Sequence, residues 1–320
     1  MVVVPAQKLR ILSWNILHGE QIPPIGKLSA EQWKNNLITA SKEISENLRP
    51  DFIGLQEVDL NQNRSANLNQ TKLIADSMGL KYWGFIPTLI GTPGEKWLRV
   101  DETPSPIISS NLAKHSSPNG SLTLGKSTQS SSTQDSSTQD SSTDGKTNPI
   151  PASYGVGFAT NQPIKKIHYK YLGRSMVGMP LLIPNEGKSG AKFIYVKDEP
   201  RVALIAELEN GLTITTTHLS FAPGVNLYQL VKLSKFLKRI PGKHILTGDL
   251  NLPGDLPSKL SSITGGWSSL IKQSTYPSWK PKIQFDYLLA QSDSGFTAKQ
   301  LPLLKPIISD HIPIGAEVIF

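Results

Sequence analysis

Compact polar residues stand at the ends of six predicted strands in this 320-residue chain. They are Asn15, Glu57, His218, Asp249, Asn251, Asp286, Asp310 and His311. Open sheets place their ligand sites at such strand ends. Each residue alone is also compatible with an ordinary turn. Because Asp, Glu, Asn and His recur at these positions with hardly a Lys among them, we favour one shared site with acid–base or metal chemistry.

Two spacings support a shared site. Asp249 and Asn251 are two residues apart in GDLN, so an extended backbone would point both side chains to the same side. Asp310 and His311 are adjacent, and on a strand they would face opposite ways, one toward a metal and the other toward a substrate. Asp286 could then orient the imidazole through the second ring nitrogen.

The elements that must position these residues alternate between short apolar strands and a few helices. Strand-like runs cover residues 9–16, 51–56, 154–160, 202–208, 213–217, 244–247, 284–290 and 312–319. One amphipathic helix is predicted after Ser29, where Gln32 completes a capping box, and it ends at Arg49-Pro50. A second helix begins near Leu227 and ends before Pro241-Gly242. With so many strands, we expect an α/β fold in which two sheets pack together and helices lie outside.

Composition excludes several classes of protein. Lys and Arg number 33 against 25 Asp and Glu, for a net charge of +8, and 38% hydrophobic residues are typical of a folded chain. Zero cysteines exclude disulfide scaffolds, thiolate zinc sites and cysteine nucleophiles, so a metal must bind through oxygen or imidazole. No apolar run approaches the roughly 18 residues of a membrane span. We therefore expect a cytoplasmic location.

A low-complexity segment interrupts the chain at about residues 103–149, where the pentad SSTQD occurs twice. Such a polar segment cannot bury enough apolar surface to offset the entropy of ordering it. We predict a disordered insertion within one domain that spans residues 1–320, because the candidate site residues lie on both sides of it. The alternative is a linker between two domains.

The ordered series SWNI, QEVD, THLS, GDLN, FDYLL and SDHIPI resembles the endonuclease/exonuclease/phosphatase superfamily of DNase I-like metal-dependent phosphohydrolases. The resemblance covers the chain from Leu9 to Phe320 except the insertion. It implies a four-layer α/β/β/α sandwich and hydrolysis of a phosphate ester with a divalent cation, Mg²⁺ or, as an alternative, Mn²⁺. It also implies that Glu57 is the principal metal ligand, with Asn15 and Asp310 close to the same ion.

The remaining roles that the resemblance implies belong to catalysis and phosphate binding. Asp249 and Asn251 would position the attacking water and hold a phosphate oxygen. His311, held by Asp286, would act as base or charge stabiliser, and the choice of base between Asp249 and His311 stays open. His218 would contact the phosphate or protonate the leaving group.

Three further residues bear on the resemblance. Arg201 would contact the phosphate from the start of a strand. At two points the sequence departs from the family pattern: Glu95 is a candidate acidic partner for His218 but does not align with it, and the tyrosine that abasic-site enzymes place over the phosphate has no clear match, with Tyr154 as the candidate.

The basic charge favours a polyanionic partner, of which nucleic acid is the natural candidate. Cationic residues recur between Lys165 and Arg201, and the segment from Tyr276 to Lys282 offers an aromatic residue and two lysines beside the site. The same chemistry on an inositol phosphate or a phospholipid is the alternative. A non-catalytic binding module is disfavoured, because every required residue type is present.

Overall fold

The computed structural model describes residues 6–24, 26, 28–100, 108–110, 116–117, 121–123, 151–184 and 191–320. The described part of the chain contains short, mostly buried strands and few helices. The strands are β1 (Lys8–Asn15), β2 (Phe52–Leu60), β3 (Tyr82–Gly91), β4 (Trp97–Arg99), β5 (Ile108–Ser109), β6 (Ser116–Ser117), β7 (Ser121–Thr123), β8 (Ser153–Thr160), β9 (Ile164–Gly173), β10 (Met179–Pro184), β11 (Ala191–Val196), β12 (Arg201–Leu208), β13 (Leu212–His218), β14 (Lys243–Asp249), β15 (Trp267–Ser269), β16 (Asp286–Gln291), β17 (Thr297–Gln300) and β18 (Ile314–Ile319). The α-helices are α1 (Ala30–Leu48), α2 (Gln70–Met78), α3 (Val225–Leu237), α4 (Leu256–Lys259) and α5 (Ser261–Thr264).

Two mixed sheets hold almost all of these strands. The first has the order β17-β18-β1-β2-β8-β3-β4, with β5 paired to β3. The second has the order β15-β16-β14-β13-β12-β9-β7-β6, and β10 pairs with β11 in a separate two-stranded sheet. Within the main sheets, β1 runs parallel to β2 and β13 runs parallel to β14. Parallel neighbours end at the same sheet edge, so the residues that close these strands lie together.

Three apolar clusters account for the layers. One cluster, which includes Phe52, Phe158 and Leu204, joins the facing sides of the two sheets. A second packs α1 and α2 on the outer face of the first sheet, and a third packs α3 on the outer face of the second sheet. The result is the four-layer α/β/β/α sandwich that the family resemblance implies, with the two packed sheets and outer helices that the strand pattern predicts. The central strands of each sheet are buried almost without interruption, because both faces of the sheet are covered.

The start of α1 confirms the predicted capping box. The Ser29 hydroxyl accepts a hydrogen bond from the Gln32 backbone N–H at 3.2 Å, and the Gln32 side chain accepts one from the Ser29 N–H at 2.9 Å. The helix ends at Leu48, and its C-cap residue Arg49 adopts a left-handed conformation with φ of 49° before Pro50. These local signals place the end of α1 directly before β2, the strand that carries Glu57.

Most of the predicted insertion at about 103–149 lies outside the described residues. Its described parts are the short strands β5, β6 and β7 with Ser110, and β7 pairs with β9 in the second sheet. Disorder over the remainder, and a single domain over residues 1–320, stay predictions.

None of the helices in the described part of the chain combines the length and the apolarity that a membrane span requires. The cytoplasmic location stays a prediction.

Candidate active site

Three neighbouring strands of the second sheet place His218, Asp249 and Asp286 in one row. His218 closes β13 and pairs in register with Asp249, which closes the parallel strand β14. Asp249 pairs in turn with Asp286, the first residue of the antiparallel strand β16. Because cross-strand partners are side by side, one sheet edge brings together residues up to 68 positions apart in the chain.

The first sheet contributes Asn15 and Glu57 from the adjacent strands β1 and β2. Glu57 lies in a β-bulge between Leu55 and Val58, and its φ of 57° is unusual for a residue with a side chain. Such a conformation costs on the order of 1–3 kcal/mol and commonly marks functional sites. The bulge directs the Glu57 carboxylate into the cleft between the two sheet edges.

Asn15 joins the two sheets through its amide. Its Nδ2 donates to Glu57 Oε1 at 2.9 Å and to Asp249 Oδ2 at 3.1 Å, while its Oδ1 accepts from the Leu17 N–H at 3.0 Å. The side chain is 1% exposed, so it lies below the cleft surface. Asn15 therefore presents nitrogen to the two carboxylates, and metal ligation by its oxygen stays a prediction.

Asp249 and Asn251 converge, but not by strand alternation as the sequence predicted. β14 ends at Asp249, and Asn251 adopts a φ of 50°, with its backbone N–H donating to Asp249 Oδ1 at 3.0 Å. This turn brings Asn251 Nδ2 to 3.1 Å from His218 Nε2. The backbone turns here instead of staying extended, because the Asp249 side chain accepts a hydrogen bond from the backbone N–H two residues later.

The prediction that Asp310 and His311 face opposite ways is wrong. Both precede β18, in a bend that follows Ser309 with φ of 75°, and both line the same cleft. A bend has no strand alternation, so adjacent residues can share one side. The Ser309 hydroxyl fixes this bend by donating to the Asn15 carbonyl at 2.6 Å and accepting from the His311 N–H at 3.0 Å.

His311 is held between two carboxylates. Its Nδ1 lies 2.7 Å from Asp286 Oδ2, and its Nε2 lies 3.8 Å from Asp249 Oδ2. The Tyr276 ring packs against the imidazole with centroids 5.0 Å apart. Burial lowers the pKa of His311, but the charges of Asp286 and Asp249 and the Asp286 hydrogen bond outweigh it and raise the pKa to about 10. The imidazole is therefore cationic at neutral pH.

For Asp249, the effects that favour the neutral form outweigh those that favour the charged form. Burial and the charge of Asp286 raise its pKa to about 7, although His311 and the donors from Asn251 and Asn15 act against the rise. An aspartate with this pKa can take up a proton near neutral pH, which the cationic His311 cannot.

His218 is neutral. Burial lowers its pKa well below the ordinary value, and the positive charges of Arg201 and His311 lower it further. Asn251 donates one amide hydrogen to the Leu219 carbonyl at 3.0 Å and the other to His218 Nε2, which leaves the ring hydrogen on Nδ1. Nδ1 lies 4.0 Å from Glu57 Oε1, so this N–H is directed toward the cleft carboxylate.

These side chains surround a cleft of about 460 Å³. Of the predicted site residues, those that line it are Glu57, Arg201, His218, Asp249, Asn251, Asp310 and His311. Asn15 and Asp286 lie beneath it and hold its lining residues. Tyr154 also lines the cleft, whereas Glu95 is exposed and lies outside it.

Sequence reasoning missed several lining residues. They are His18, Arg64, Pro93, Glu199, Phe221 and Phe285, with Tyr276 named only as part of a nearby segment. Burial raises the pKa of Glu199 to about 7 against the opposing charge of Arg201, only two residues away. The acidic run DEPR before β12 was the one available signal for Glu199.

Arg64 and Arg201 supply positive charge to the cleft and are each fixed by an aspartate. Arg64 makes two 2.8 Å hydrogen bonds to Asp59 and lies over the Tyr154 ring, 5.7 Å from its centroid. Arg201 opens β12 and donates to Asp198 Oδ1 at 3.1 Å. Fixed guanidinium groups of this kind suit phosphate recognition.

Glu57 and Asp310 fit a hard divalent cation. Asp310 Oδ1 is buried without a hydrogen-bond partner among the described residues, and the pKa of Asp310 rises to about 6 through burial and, in part, the negative charge of Glu57. A cation between the two carboxylates would take Asp310 Oδ1 as a ligand and offset the repulsion between the two negative charges. Mg²⁺ is commonly held by one or two carboxylates.

A second group could also hold a metal. Potential ligand atoms of Asp249, Asp286 and His311 lie within 4.8 Å of one another. However, the His311 ring is hydrogen-bonded to Asp286 and its Nε2 lies 3.8 Å from Asp249 Oδ2, so we assign these two carboxylates the role of holding a cationic imidazole rather than a metal.

Comparisons with known proteins agree with this geometry. The Endonuclease/Exonuclease/phosphatase family model matches residues 12–311. A protein of that family from Leptotrichia buccalis C-1013-b is 15% identical with a TM-score of 0.52, covering 98% of this chain and 100% of that chain. One from Bacteroides thetaiotaomicron is 11% identical with a TM-score of 0.51, covering 99% of each chain.

A mannosyl-6-phosphatase of Bacteroides thetaiotaomicron VPI-5482 is 11% identical with a TM-score of 0.50, covering 98% of this chain and 100% of that chain. At these identities the three structures show a shared fold and no more. Among curated proteins, none has a significant match to this chain. Because the family model spans both sheets and every strand end described above, the chain belongs to the Endonuclease/Exonuclease/phosphatase family, whose members are hydrolases of phosphate esters.

Proposed function

We propose that this protein hydrolyses phosphodiester bonds of nucleic acid with a divalent cation, Mg²⁺ or Mn²⁺. One observation carries the proposal. A single cleft brings the Glu57 and Asp310 carboxylates opposite the strand-end row of His218 and Asp249, with His311 between Asp249 and the buried Asp286. Carboxylates for a cation, a base for water and cations for phosphate are the groups that such hydrolysis requires.

Glu57 and Asp310 would hold the cation, and Asn15 would keep the Glu57 carboxylate in place through its 2.9 Å hydrogen bond. When bound, the cation supplies Lewis-acid polarisation of a non-bridging phosphate oxygen. The strained bulge at Glu57 is consistent with this role. A regular strand would direct the side chain to one face of the sheet, whereas the bulge directs the carboxylate into the cleft.

Asp249 is the proposed general base. Its raised pKa suits proton transfer from water near neutral pH, and its Oδ2 faces the cationic His311. As the water oxygen bonds to phosphorus, its proton passes to Asp249, the bond to the leaving oxygen breaks, and the leaving oxygen takes up a proton from solvent water. His311 stabilises the negative charge that develops, and Asp286 keeps its imidazole oriented.

Two residues are proposed to contact the phosphate. His218 is neutral and carries its hydrogen on Nδ1, so it suits hydrogen-bond donation better than protonation of the leaving group. Arg201 adds a fixed positive charge. Both amide hydrogens of Asn251 are already donated, so we assign it the task of holding His218 rather than a phosphate oxygen.

Aromatic side chains at the cleft support nucleic acid as the substrate class. Tyr276, Phe221 and Phe285 line the cleft, and Trp279 is 55% exposed in the same turn as Tyr276. Bases stack on such rings whatever their sequence. The net charge of +8 adds long-range attraction for a polyanion.

A lipid or inositol phosphate is the second candidate, and one observation favours it. Met176 and Val177 are 81% and 68% exposed, and Tyr195 is 64% exposed at the nearby two-stranded sheet. Exposed apolar side chains in one region can mark contact with a lipid surface.

A substrate panel tests both candidates. Plasmid DNA, an abasic duplex, single-stranded DNA, an inositol polyphosphate and sphingomyelin vesicles are each incubated with Mg²⁺ or EDTA. We expect Mg²⁺-dependent cleavage of nucleic acid by the wild type and not by His311→Ala. Turnover of the vesicles alone would select the second candidate, and no turnover of any substrate would reject the proposed function.

A further inference from the structure

A second cavity of about 270 Å³ adjoins the active cleft. Its cationic lining consists of Arg99, Arg174 and Arg201, and we call it the arginine pocket. Arg201 lines both the arginine pocket and the active cleft, so the two cavities share this residue. No residue of the predicted site other than Arg201 contributes to the arginine pocket.

Two arginines that line this pocket each have a buried Nε–H group without a hydrogen-bond acceptor among the described residues. The Arg201 side chain is only 4% exposed, and its Nη2 donates to Asp198, yet its Nε has no hydrogen-bond partner among the described residues. Arg174 Nε is likewise buried without a partner in the described part of the chain. An unpaired buried donor costs about 1–3 kcal/mol, and more when the group is charged. Both arginines also line the arginine pocket, where a bound anion would accept hydrogen bonds from their guanidinium groups.

Nearby carboxylates offset the charge of Arg201, which is paired with Asp198 and close to Glu199, but not, within the described part of the chain, the charges of the other two arginines. Among the described residues, neither Arg99 nor Arg174 has a carboxylate within 4.0 Å. Asp198, which pairs with Arg201, has its other oxygen occupied by the Ser175 N–H at 2.6 Å and the Ser220 hydroxyl at 2.8 Å. Asp198 thus fixes one arginine and cannot compensate the others.

Arg174 is oriented by packing rather than by an acid. Its guanidinium lies over the Trp97 ring, 5.6 Å from the centroid, and its Nη1 is 3.5 Å from the Asp198 carbonyl. A planar guanidinium stacked on an aromatic ring keeps its edge free to donate two parallel hydrogen bonds. Phosphate, with several acceptor oxygens, matches that edge.

We propose that the arginine pocket binds a second phosphoryl group of the substrate while the scissile phosphate occupies the active cleft. This inference rests on the proposed function and narrows its substrate class to molecules with at least two phosphates. The second phosphate has two sources, the neighbouring phosphate of a nucleic-acid strand or a further phosphate of a small polyphosphate. Because Arg201 lines both cavities, a phosphate bound in the arginine pocket would affect binding of the scissile phosphate in the active cleft.

The test compares substrates that differ in phosphate number. The double variant R99Q/R174Q and the control R239Q, which removes an exposed arginine at the end of α3, are assayed with Mg²⁺. Bis(4-nitrophenyl) phosphate carries one phosphate; a 5′-phosphorylated dinucleotide and an inositol bisphosphate carry two. For the preferred two-phosphate substrate, we expect KM of the double variant to rise about 10- to 100-fold with kcat nearly unchanged.

The single-phosphate substrate separates the outcomes. An equal loss on all substrates, or no loss on any, would overturn the arginine pocket, whereas R239Q should change nothing. The substrate with the larger KM increase identifies the source of the second phosphate.

If the wild type hydrolyses none of these substrates, the proposed function fails, and the arginine pocket is then tested by calorimetry with pyrophosphate. The wild type should bind pyrophosphate at least about tenfold more tightly than R99Q/R174Q. Equal binding would reject the pocket, and the single variant R99Q, at an exposed position, repeats the comparison if the double variant unfolds.

Discussion

Asp286 holds His311 through a 2.7 Å hydrogen bond to Nδ1, and both side chains are almost completely buried. This hydrogen bond fixes the imidazole ring so that its Nε2 faces the Asp249 carboxylate, 3.8 Å away. A buried carboxylate behind an imidazole stabilises the cationic ring and sets its orientation. This relationship makes His311 a charge stabiliser in the proposed mechanism.

Asp286→Asn should lower kcat about 10²- to 10⁴-fold with little change in KM, because the neutral amide no longer stabilises the imidazolium. The same substitution should lower the pKa of His311, which NMR titration of the ring measures directly. Asp293→Asn, at an exposed turn residue, is the matched control. A fall in kcat without any change in the His311 pKa would assign Asp286 a purely structural role.

Asn15→Ala should raise the Mg²⁺ concentration at half-maximal activity by about 10- to 100-fold, because Glu57 and Asp249 both lose a donor that orients them. The measurement is activity as a function of free Mg²⁺. Asn47→Ala, on the exposed face of α1, provides the comparison. An unchanged Mg²⁺ requirement would mean that Asn15 does not position the carboxylates.

Glu199→Gln should stabilise the fold more at pH 8 than at pH 5.5. The folded pKa of Glu199 is raised from 4.5 to about 7, chiefly by burial, so the folded protein favours the protonated form. The stability that this preference contributes is present below pH 4.5 and is lost as pH rises toward 7. Glutamine stays neutral, so the difference in unfolding free energy should grow by about 1–3 kcal/mol across this window.

Urea denaturation in EDTA at the two pH values measures the difference for Glu199→Gln, and exposed Glu209→Gln serves as control. A difference that is independent of pH, or that shrinks toward pH 8, would contradict the raised pKa.

Gly248→Ala should cost about 3–5 kcal/mol of unfolding free energy. Gly248 precedes Asp249, has a φ of 141°, and a Cβ there would lie 1.9 Å from the Thr217 carbonyl oxygen. Gly211→Ala should cost only about 1–2 kcal/mol, because its φ of 85° is strained but nothing lies within 4 Å. Chemical denaturation compares the two variants, and equal losses would show that the close approach at Gly248 is not limiting.

The sequence predicts eight of the strands, the helices α1 and α3 and the residue types of the site, because apolar periodicity and capping are local signals. It did not predict the long strands β3 and β9 or the helix α2. Alternation gave the wrong reason for the convergence of Asp249 and Asn251, since an aspartate-stabilised turn lies between them. The same error affected Asp310 and His311, whose bend depends on the Ser309 hydroxyl and the distant Asn15 carbonyl. Contacts across about 300 residues of chain have no local pattern.

Residues that surround the site were harder to predict than those within its motifs. Glu199 lies in the loop before β12 and Arg64 in a short 3-10 turn, and apart from the DEPR run nothing in their neighbouring sequence distinguishes them from surface charges. Arg174 gains its significance only from the cavity that it shares with Arg201. The bulge at Glu57 also requires the partner strand β8, so the sequence alone could not reveal it.

The role of Glu57 in binding a catalytic cation is measured by the rate of hydrolysis of bis(4-nitrophenyl) phosphate as a function of Mg²⁺ concentration. The wild type should show a saturable dependence on Mg²⁺ and no activity in EDTA. Glu57→Gln should lower the rate at least about 10²-fold while remaining folded, and Glu46→Gln, an exposed residue of α1, should match the wild type. Full activity of the wild type in EDTA, or of Glu57→Gln in Mg²⁺, would contradict a metal-dependent phosphohydrolase site in this cleft.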